Sequence, residues 1–456
     1  MIGFGCVGQG VLPLLLRHIA LEPGQIRILD PSSEGARVAH EYGVVFIQRP
    51  ITHDNYRELL ARELGPGDFL LNLSVNVGSV DLIDWCQRHD VVYLDACIEP
   101  WVGGYTDSAV PPALRTNYAL REAARALGDG HTATAVVTHG VNPGLVSHFV
   151  KQALLNLSAD QGEPMAPPAD REGWAALAHR LDVRAIHIAE RDTQTSPRHK
   201  ERGEFVNTWS VEGFVGEGSQ PAELGWGSHE RHWPPGGHEH TFGCGSAIWL
   251  ERPGAGTRVR SWTPLEGPYL GFLITHGESI SIADYLSVRE GEQVLYRPTV
   301  HYAYHPCNDA VLSLHELAGR QWRVQPRWRQ LKAEDIDAGM DELGVLLMGH
   351  ERGAYWYGSR LTNAEAMRLA PHNNATSLQT TAGVLSGVVW AMNHPNAGIV
   401  DPDEMDFQEV MEVALPYMGE MVGVYTDWTP LEHRGTLFPE DLDWDDPWQF
   451  KNILVT

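Results

Sequence analysis

A chain of 456 residues is longer than one ordinary hydrophobic core, so two or more domains are expected. Its hydrophobic share of 43% and charged share of 20% are those of a globular protein. The formal net charge of −25 argues against a nucleic-acid binder, which needs clustered Lys and Arg, and leaves room for a cationic ligand.

The first element is a phosphate-binding pattern. Gly3-Phe4-Gly5-Cys6-Val7-Gly8 spells GxGxxG, a weak string when it stands alone. Here a helical apolar run follows (Val11, Leu12, Leu15, Leu16, Ile19), then a strand pattern, Ile26-Arg27-Ile28-Leu29, ending in Asp30. The acid stands about 22 residues past the last glycine, near the ~20 usual for a ribose-binding carboxylate. Glycines let the backbone approach a pyrophosphate lying on the positive end of the helix. Asp30 would repel a 2′-phosphate, which favours NAD over NADP. Gly3, Phe4, Gly5, Cys6, Val7, Gly8 and Asp30 are therefore assigned to the cofactor. Only Met1-Ile2 precede the glycines, so the first strand is expected to be nearly absent, and Pro13 is expected to bend the helix.

Further strand patterns run from Val44 to Ile47, Phe69 to Leu73, Val91 to Leu94 and Thr134 to Val137. They are short and apolar, as buried parallel strands are. A doubly wound parallel sheet binds its ligand beyond the carboxyl ends of its strands. Asp30, Asn72, Ser74, Asn76, Asp95, Glu99, His139 and Asn142 stand just past those ends and are expected to share a crevice. Asn72, Ser74, Asp95 and Asn142 join the cofactor set on that ground.

After Asn142-Pro143-Gly144 come a helical stretch and a loop from about Gln161 to Glu172. Alternating strands follow at Val183 to Ile188, Thr257 to Trp262 and Tyr269 to Ile274. Half-apolar alternation predicts a mixed or antiparallel sheet in a second, α+β domain. A helical pattern from Leu378 to Met392 is expected to return to the nucleotide domain.

Three patches are dense in chemistry: His187 to Asp192, Asn207 to Gly218, and Thr275 to Ser279. Each follows a strand-like run. Taken singly, Trp209 also suits a core, Glu212 and Glu217 a solvated loop, and His276 a turn. The histidine-rich run Ser228 to His240 has HxxH and HxH spacings that can ligate zinc, but its Pro and Gly residues fit a surface loop better, and no metal is assigned. No GxSxG elbow is present. Cys6, Cys86, Cys97, Cys244 and Cys307 are scattered with no CxxC pair, which fits a reducing compartment. With no apolar run near the ~20 residues of a membrane span and no basic-then-apolar leader, a cytoplasmic location is expected.

Longer strings carry a resemblance. MIGFGCVGQG at the start, IEPW around Glu99, VNPGLVS at Asn142, IHIAERDTQ around Glu190, NTWSVEGFVGEG around Trp209 and LITHGESISIAD around His276 are the first of these. YRPTVHYAYHPCNDAVLSLHE from Tyr296, DELGVLLMGH from Asp341, and PNAGIV and VGVYTDWTPL near the C-terminus complete the set. Together they span nearly the whole chain, which resembles the bacterial homospermidine synthases, a branch of the saccharopine dehydrogenase-like enzymes. The resemblance implies a redox-neutral aminobutyl transfer. Tightly held NAD takes a hydride from putrescine, a second amine attacks the imine, ammonia leaves, and the stored hydride reduces the product imine.

Such a pocket needs carboxylates for ammonium groups and an indole face for the iminium. The resemblance points to Glu99, Glu190, Glu217 and Asp341 for the first and to Trp209 for the second. It also points to His276 and Glu278 for proton transfer, and to Asn142 for positioning the amine. Asn76 stands where the family usually carries Asp, which is expected to weaken putrescine capture or shift the preference among amines.

The expected architecture is thus a Rossmann-type domain over residues 1–140, completed by a returning segment at about 387–408. A substrate and dimerisation domain takes residues 141–386 and 409–456. Putrescine and related polyamines are the expected partners, in a homodimer that engages neither nucleic acid nor membrane. Two rivals remain open: a saccharopine or carboxyspermidine dehydrogenase with net NAD(P)H turnover, which needs converging Arg side chains, and a non-catalytic NAD-sensing module.

Overall fold

The computed structural model describes residues 1–128 and 132–455. Its first layer is a parallel sheet in the order Val45–Gln48, Arg27–Asp30, then Phe69–Asn72, Val92–Asp95, Ala135–Val136 and Ile399–Val400. The two halves are joined by one residue. Ile2 bridges Leu29 on one side and Asn72 on the other, both in parallel. Its amide donates to Leu71 O at 2.8 Å, its carbonyl accepts from Leu73 N at 2.7 Å, and Gly3 N donates to Leu29 O at 3.0 Å. A single extended residue thus does the work of the first strand in a doubly wound sheet.

The helix Cys6–His18 follows directly and continues through Pro13, which is buried within it. The far strand, Ile399–Val400, comes from late in the chain. It follows the helix Ala375–Asn393, whose start is capped by the Asn374 side chain accepting from Ser377 N at 2.8 Å. That helix lies so close to the turn after Ala135–Val136 that a Cβ at Gly383 would stand 2.0 Å from Gly140 O. Only glycine fits there.

The second layer is a mixed sheet. Its main path runs Glu420–Thr426, Ala354–Thr362, Met340–Met348, Ala185–Asp192, Thr299–His305, Gly267–Phe272, Arg258–Thr263 and Leu454–Val455. All neighbours on this path are antiparallel except Ala185–Asp192 beside Thr299–His305. The strand expected to stop at Ile188 runs on to Asp192, so Glu190 and Asp192 sit within the sheet rather than in a loop past it. Period-two alternation then places Glu190 and Asp192 on one face and Arg191 on the other. The loop after Gln161 ends at Asp170, whose side chain caps a helix over Arg171–Arg180.

One apolar cluster runs from Val11 and Leu14 through Phe149 and Leu154 to Ile188, Val345 and Leu385, so the two sheets share a core. Among the described residues no helix is long and apolar enough to cross a membrane.

Candidate active site

Two connected spaces lie between the layers. The outer is a cleft of ≈ 650 Å³ walled by Gly3–Val7, Asp30 and Arg37 on one side and by Ser210, Glu212 and Gln330–Glu334 on the other. The inner is a cavity of ≈ 120 Å³ lined by Glu99, Asn142, Glu190, Trp209, Glu217, His276 and Tyr302. Val7, Leu73, Ser74, Val75, Ser210 and Ser377 line both, so one opens into the other.

The outer cleft has the glycine chemistry of a dinucleotide site. Gly3 has φ +80°, and a Cβ there would strike the Leu73 carbonyl at 2.6 Å. Gly5 caps the helix Cys6–His18, and a Cβ on it would meet nothing within 4 Å, so the helix N-terminus is open to an anion. Asp30 accepts from Phe4 N at 2.6 Å and from Ser32 N at 2.7 Å, which fixes its carboxylate at the cleft wall. These residues fit a dinucleotide.

Four residues of the expected cofactor set lie elsewhere. Gly8 packs against the Gly3 carbonyl, 2.9 Å from where its Cβ would be, and lines neither space. Asn72 and Asp95 are buried behind the strand ends. Asn72 Nδ2 donates to the Tyr93 hydroxyl at 3.1 Å, which donates to Asp95 Oδ2 at 2.9 Å, and Thr138 N donates to Asp95 Oδ1 at 2.7 Å. Burial pushes the Asp95 carboxyl up to about 6. Asn142 lines the inner cavity and not the cleft. Ser74 alone of the polar residues past the strand ends reaches both spaces; its hydroxyl donates to Asn72 Oδ1 at 2.5 Å.

The inner cavity gathers acids on three elements. Glu190 accepts from Asn142 Nδ2 at 3.2 Å and from the Tyr302 hydroxyl. Burial raises its carboxyl to about 8, against the pull of the Tyr302 bond. Glu99 accepts from Asn76 N at 3.3 Å, and burial together with the nearby Glu217 charge also lifts it to about 8. His276 stands between two carboxylates, with Nε2 3.0 Å from Glu217 and Nδ1 3.2 Å from Glu278. Burial alone would lower it, but Glu278 and Glu217 outweigh that and hold it at about 10. The Cys97 thiol reaches Glu217 Oε1 at 3.7 Å.

Trp209 donates from Nε1 to the Tyr304 hydroxyl at 3.1 Å. Gly213, 3.3 Å from the indole edge at its would-be Cβ, leaves room for the ring over the first turn of the helix Val211–Ser219. Glu278 is fully buried behind the cavity, in contact with His276 rather than in the lining. Asp341 is set back as well. It lies opposite Asp192 in the sheet and accepts from the Thr376 hydroxyl at 2.5 Å, and burial, Glu190 and Asp192 push its carboxyl well up. Asn76 donates from Nδ2 to Glu212 Oε1 at 2.7 Å at the cleft wall.

Sequence reasoning missed Tyr302 and Tyr304, and Thr376, Ser377 and Thr380. The tyrosines alternate along Thr299–His305, where Tyr304 is paired with Glu190, and that period-two pattern was the available signal. The hydroxyls come from the first turns of Ala375–Asn393, which nothing local marks as facing a cavity. The histidines of the Ser228 to His240 run go to separate partners: His232 to Asp443, His238 to Glu251 and His240 to Glu223.

A glycine-walled cleft opening into an acid-lined cavity defines a dinucleotide-dependent enzyme of the saccharopine dehydrogenase class. The Saccharopine dehydrogenase NADP binding domain matches residues 1–137, and the Saccharopine dehydrogenase C-terminal domain matches residues 140–426. The chain is 56% identical to a homospermidine synthase of Blastochloris viridis, covering 100% of this chain and 96% of that protein. It is 52% identical to one of Mesorhizobium japonicum, again covering 100% and 96%. A crystal structure of the homospermidine synthase of Legionella pneumophila in complex with NAD superposes with a TM-score of 0.93 at 48% identity, covering 100% of this chain and 97% of that one. The chain belongs to the homospermidine synthase family.

Proposed function

We propose that this protein makes homospermidine from putrescine with release of ammonia, NAD ending the cycle as it began. The observation that carries the reading is the composition of the inner cavity: acids, one indole and one clamped histidine, with neither Arg nor Lys among the lining residues. Saccharopine-type substrates carry carboxylates and would need such cations.

The glycine turn and Asp30 would hold the dinucleotide, which when bound supplies a hydride acceptor and later a donor. Asp30 supports NAD as that cofactor, in keeping with the NAD-complexed neighbour, although the matching family description names NADP. Glu190 and Glu99 receive ammonium heads, and each releases a proton as it pairs, since both are largely protonated in the empty cavity near neutral pH. A group that titrates near 8 can also take the proton that an attacking amine must lose. His276 is cationic when the cavity is empty, so an arriving dication competes with it for Glu217 and loosens its proton. That proton is then available to the departing ammonia. Trp209 stabilises the cationic imine without offering a nucleophile. Glu278 and Asp341 act one contact away, through His276 and through the Thr376 hydroxyl and the neighbouring Glu190.

The same reading divides the chain at residue 140, with about 387–408 returning to the nucleotide domain; the parallel pairing of Ile399–Val400 with Ala135–Val136 supports it. It includes a homodimer, for which the exposed Leu437, Phe438 and Trp444 offer apolar surface. Light scattering on the purified protein tests the assembly.

Incubating the protein with putrescine and substoichiometric NAD, followed by mass spectrometry, tests the reaction. Homospermidine and ammonia without accumulating NADH is the expected result. Steady NADH build-up would transfer the assignment to a simple dehydrogenase.

A further inference from the structure

The outer cleft has a second wall that no glycine fingerprint announces. Strand Arg327–Gln330 runs parallel to Glu204–Asn207, and its last residue, Gln330, lines the cleft together with Cys6, the first residue of the helix Cys6–His18. The next residue is pinned on both sides: Leu331 N donates to Asn207 O at 2.8 Å, and Leu331 O accepts from Asn374 Nδ2 at 3.0 Å. Lys332 comes after it, an exposed residue on the cleft wall whose backbone N–H donates to Asp335 Oδ2 at 3.0 Å.

Among the described residues the Lys332 ammonium forms no ion pair or hydrogen bond, and Glu334 beside it in the wall does not reach it. The other lysines are all engaged. Lys200 pairs with Glu316, Lys451 with Asp441 at 2.8 Å, and Lys151 donates to the Asp403 carbonyl at 2.6 Å. In a protein with net charge −25, a lysine on a cleft wall without an acid partner is available to an anion.

We propose that Lys332 closes the dinucleotide site from the second layer, its ammonium meeting the pyrophosphate that the N-terminus of the helix Cys6–His18 meets from the first. This rests on the NAD-dependent reading above. Helix ends and lysine ammoniums are both standard phosphate partners, and here residues of both kinds line one cleft. A cofactor gripped by both layers leaves slowly. The chemistry requires that: a coenzyme that departed between the two hydride steps would strand an oxidised amine and end the cycle.

The test compares wild type with Lys332→Ala and Lys332→Arg. Each is loaded with NADH, diluted into excess NAD, and followed by loss of bound-NADH fluorescence at low and raised salt. Lys332→Ala should release NADH roughly tenfold faster, with a weaker salt dependence, and Lys332→Arg should stay near wild type. Release at the wild-type rate from Lys332→Ala overturns the proposal. If that variant also melts lower without cofactor, the salt dependence decides, and one equal to wild type's overturns the proposal. Failure of wild type itself to bind NADH would instead bring down the NAD-dependent reading.

Discussion

Trp209 and Glu190 line the same small cavity, and the proposed reaction gives them different parts of the chemistry. An indole against a desolvated cation is worth ~2 kcal/mol, or roughly thirtyfold in rate. Trp209→Ala should therefore lower kcat by at least that factor while leaving NADH binding unchanged, and Trp209→Phe should retain part of the rate; equal loss of turnover and of NADH binding would make the residue structural. Glu190 and Glu99 make the enzyme pH-dependent in a stated direction. Both titrate near 8, so raising the pH from about 7 to about 9 ionises them in the free enzyme and should lower the KM for putrescine. Glu190→Gln should flatten that profile and remove one of the protons released on binding, measured by calorimetry in buffers of different ionisation enthalpy. Stability moves the opposite way. The folded values lie above the ordinary 4.5, so the stability tied to these carboxyls is full below about 4.5 and is lost as pH rises to about 8. Thermal melting of the cofactor-free protein should fall across that window, less steeply in Glu190→Gln. At this scale an amide rather than a carboxylate at Asn76 has a visible consequence. Its amide donates to Glu212, where a carboxylate would face another acid.

Secondary-structure elements were legible where a short stretch decides its own fate. The turn at Gly3 needs only a positive φ and a nearby carbonyl, and Asp30 ends a strand that is apolar on its own account. Glu190 was identified but placed one strand-turn too late, because the apolar alternation ends at Ala189 while the ladder continues. Its pairing with Leu343 and Tyr304 on flanking strands holds Glu190 and the residues after it extended. The alternation of Tyr302 and Tyr304 signals that they share a face, but which face that is depends on a parallel partner more than a hundred residues away. The helix Ala375–Asn393 is a similar case: its pattern is plain, while its approach to the turn at Gly140 is a tertiary fact. Gly383→Ala would put a methyl 2.0 Å from the Gly140 carbonyl. Overpacking of ~1–3 kcal/mol should lower the melting temperature by a few degrees and reduce kcat by shifting Asn142, two residues from the displaced turn.

Across the whole molecule the two layers are bolted by charge as well as by the shared core. Arg121, buried on the helix Asn117–Arg125, reaches Asp401 at 2.7 Å beside the returning strand and Asp284 at 3.1 Å near the end of the helix that begins with Glu278. Removing the guanidinium leaves two buried carboxylates without it. Arg121→Ala should cost about 3–5 kcal/mol, read from urea unfolding, whereas breaking an exposed pair such as Arg327–Glu201 should leave the unfolding midpoint nearly unchanged. None of this network was visible from sequence, because its members lie in three separate stretches of the chain and each looks like a solvated surface charge.

The strand Ile399–Val400 also sets an order of events at the ribosome. Its partner, Ala135–Val136, emerges long before it, and until some 260 further residues have been made that strand is an open sheet edge. The same late stretch brings Ser377 to the wall shared by cleft and cavity. The cleft wall is therefore complete only late in translation, and a prematurely terminated chain would carry the glycine fingerprint together with an unpaired, aggregation-prone edge.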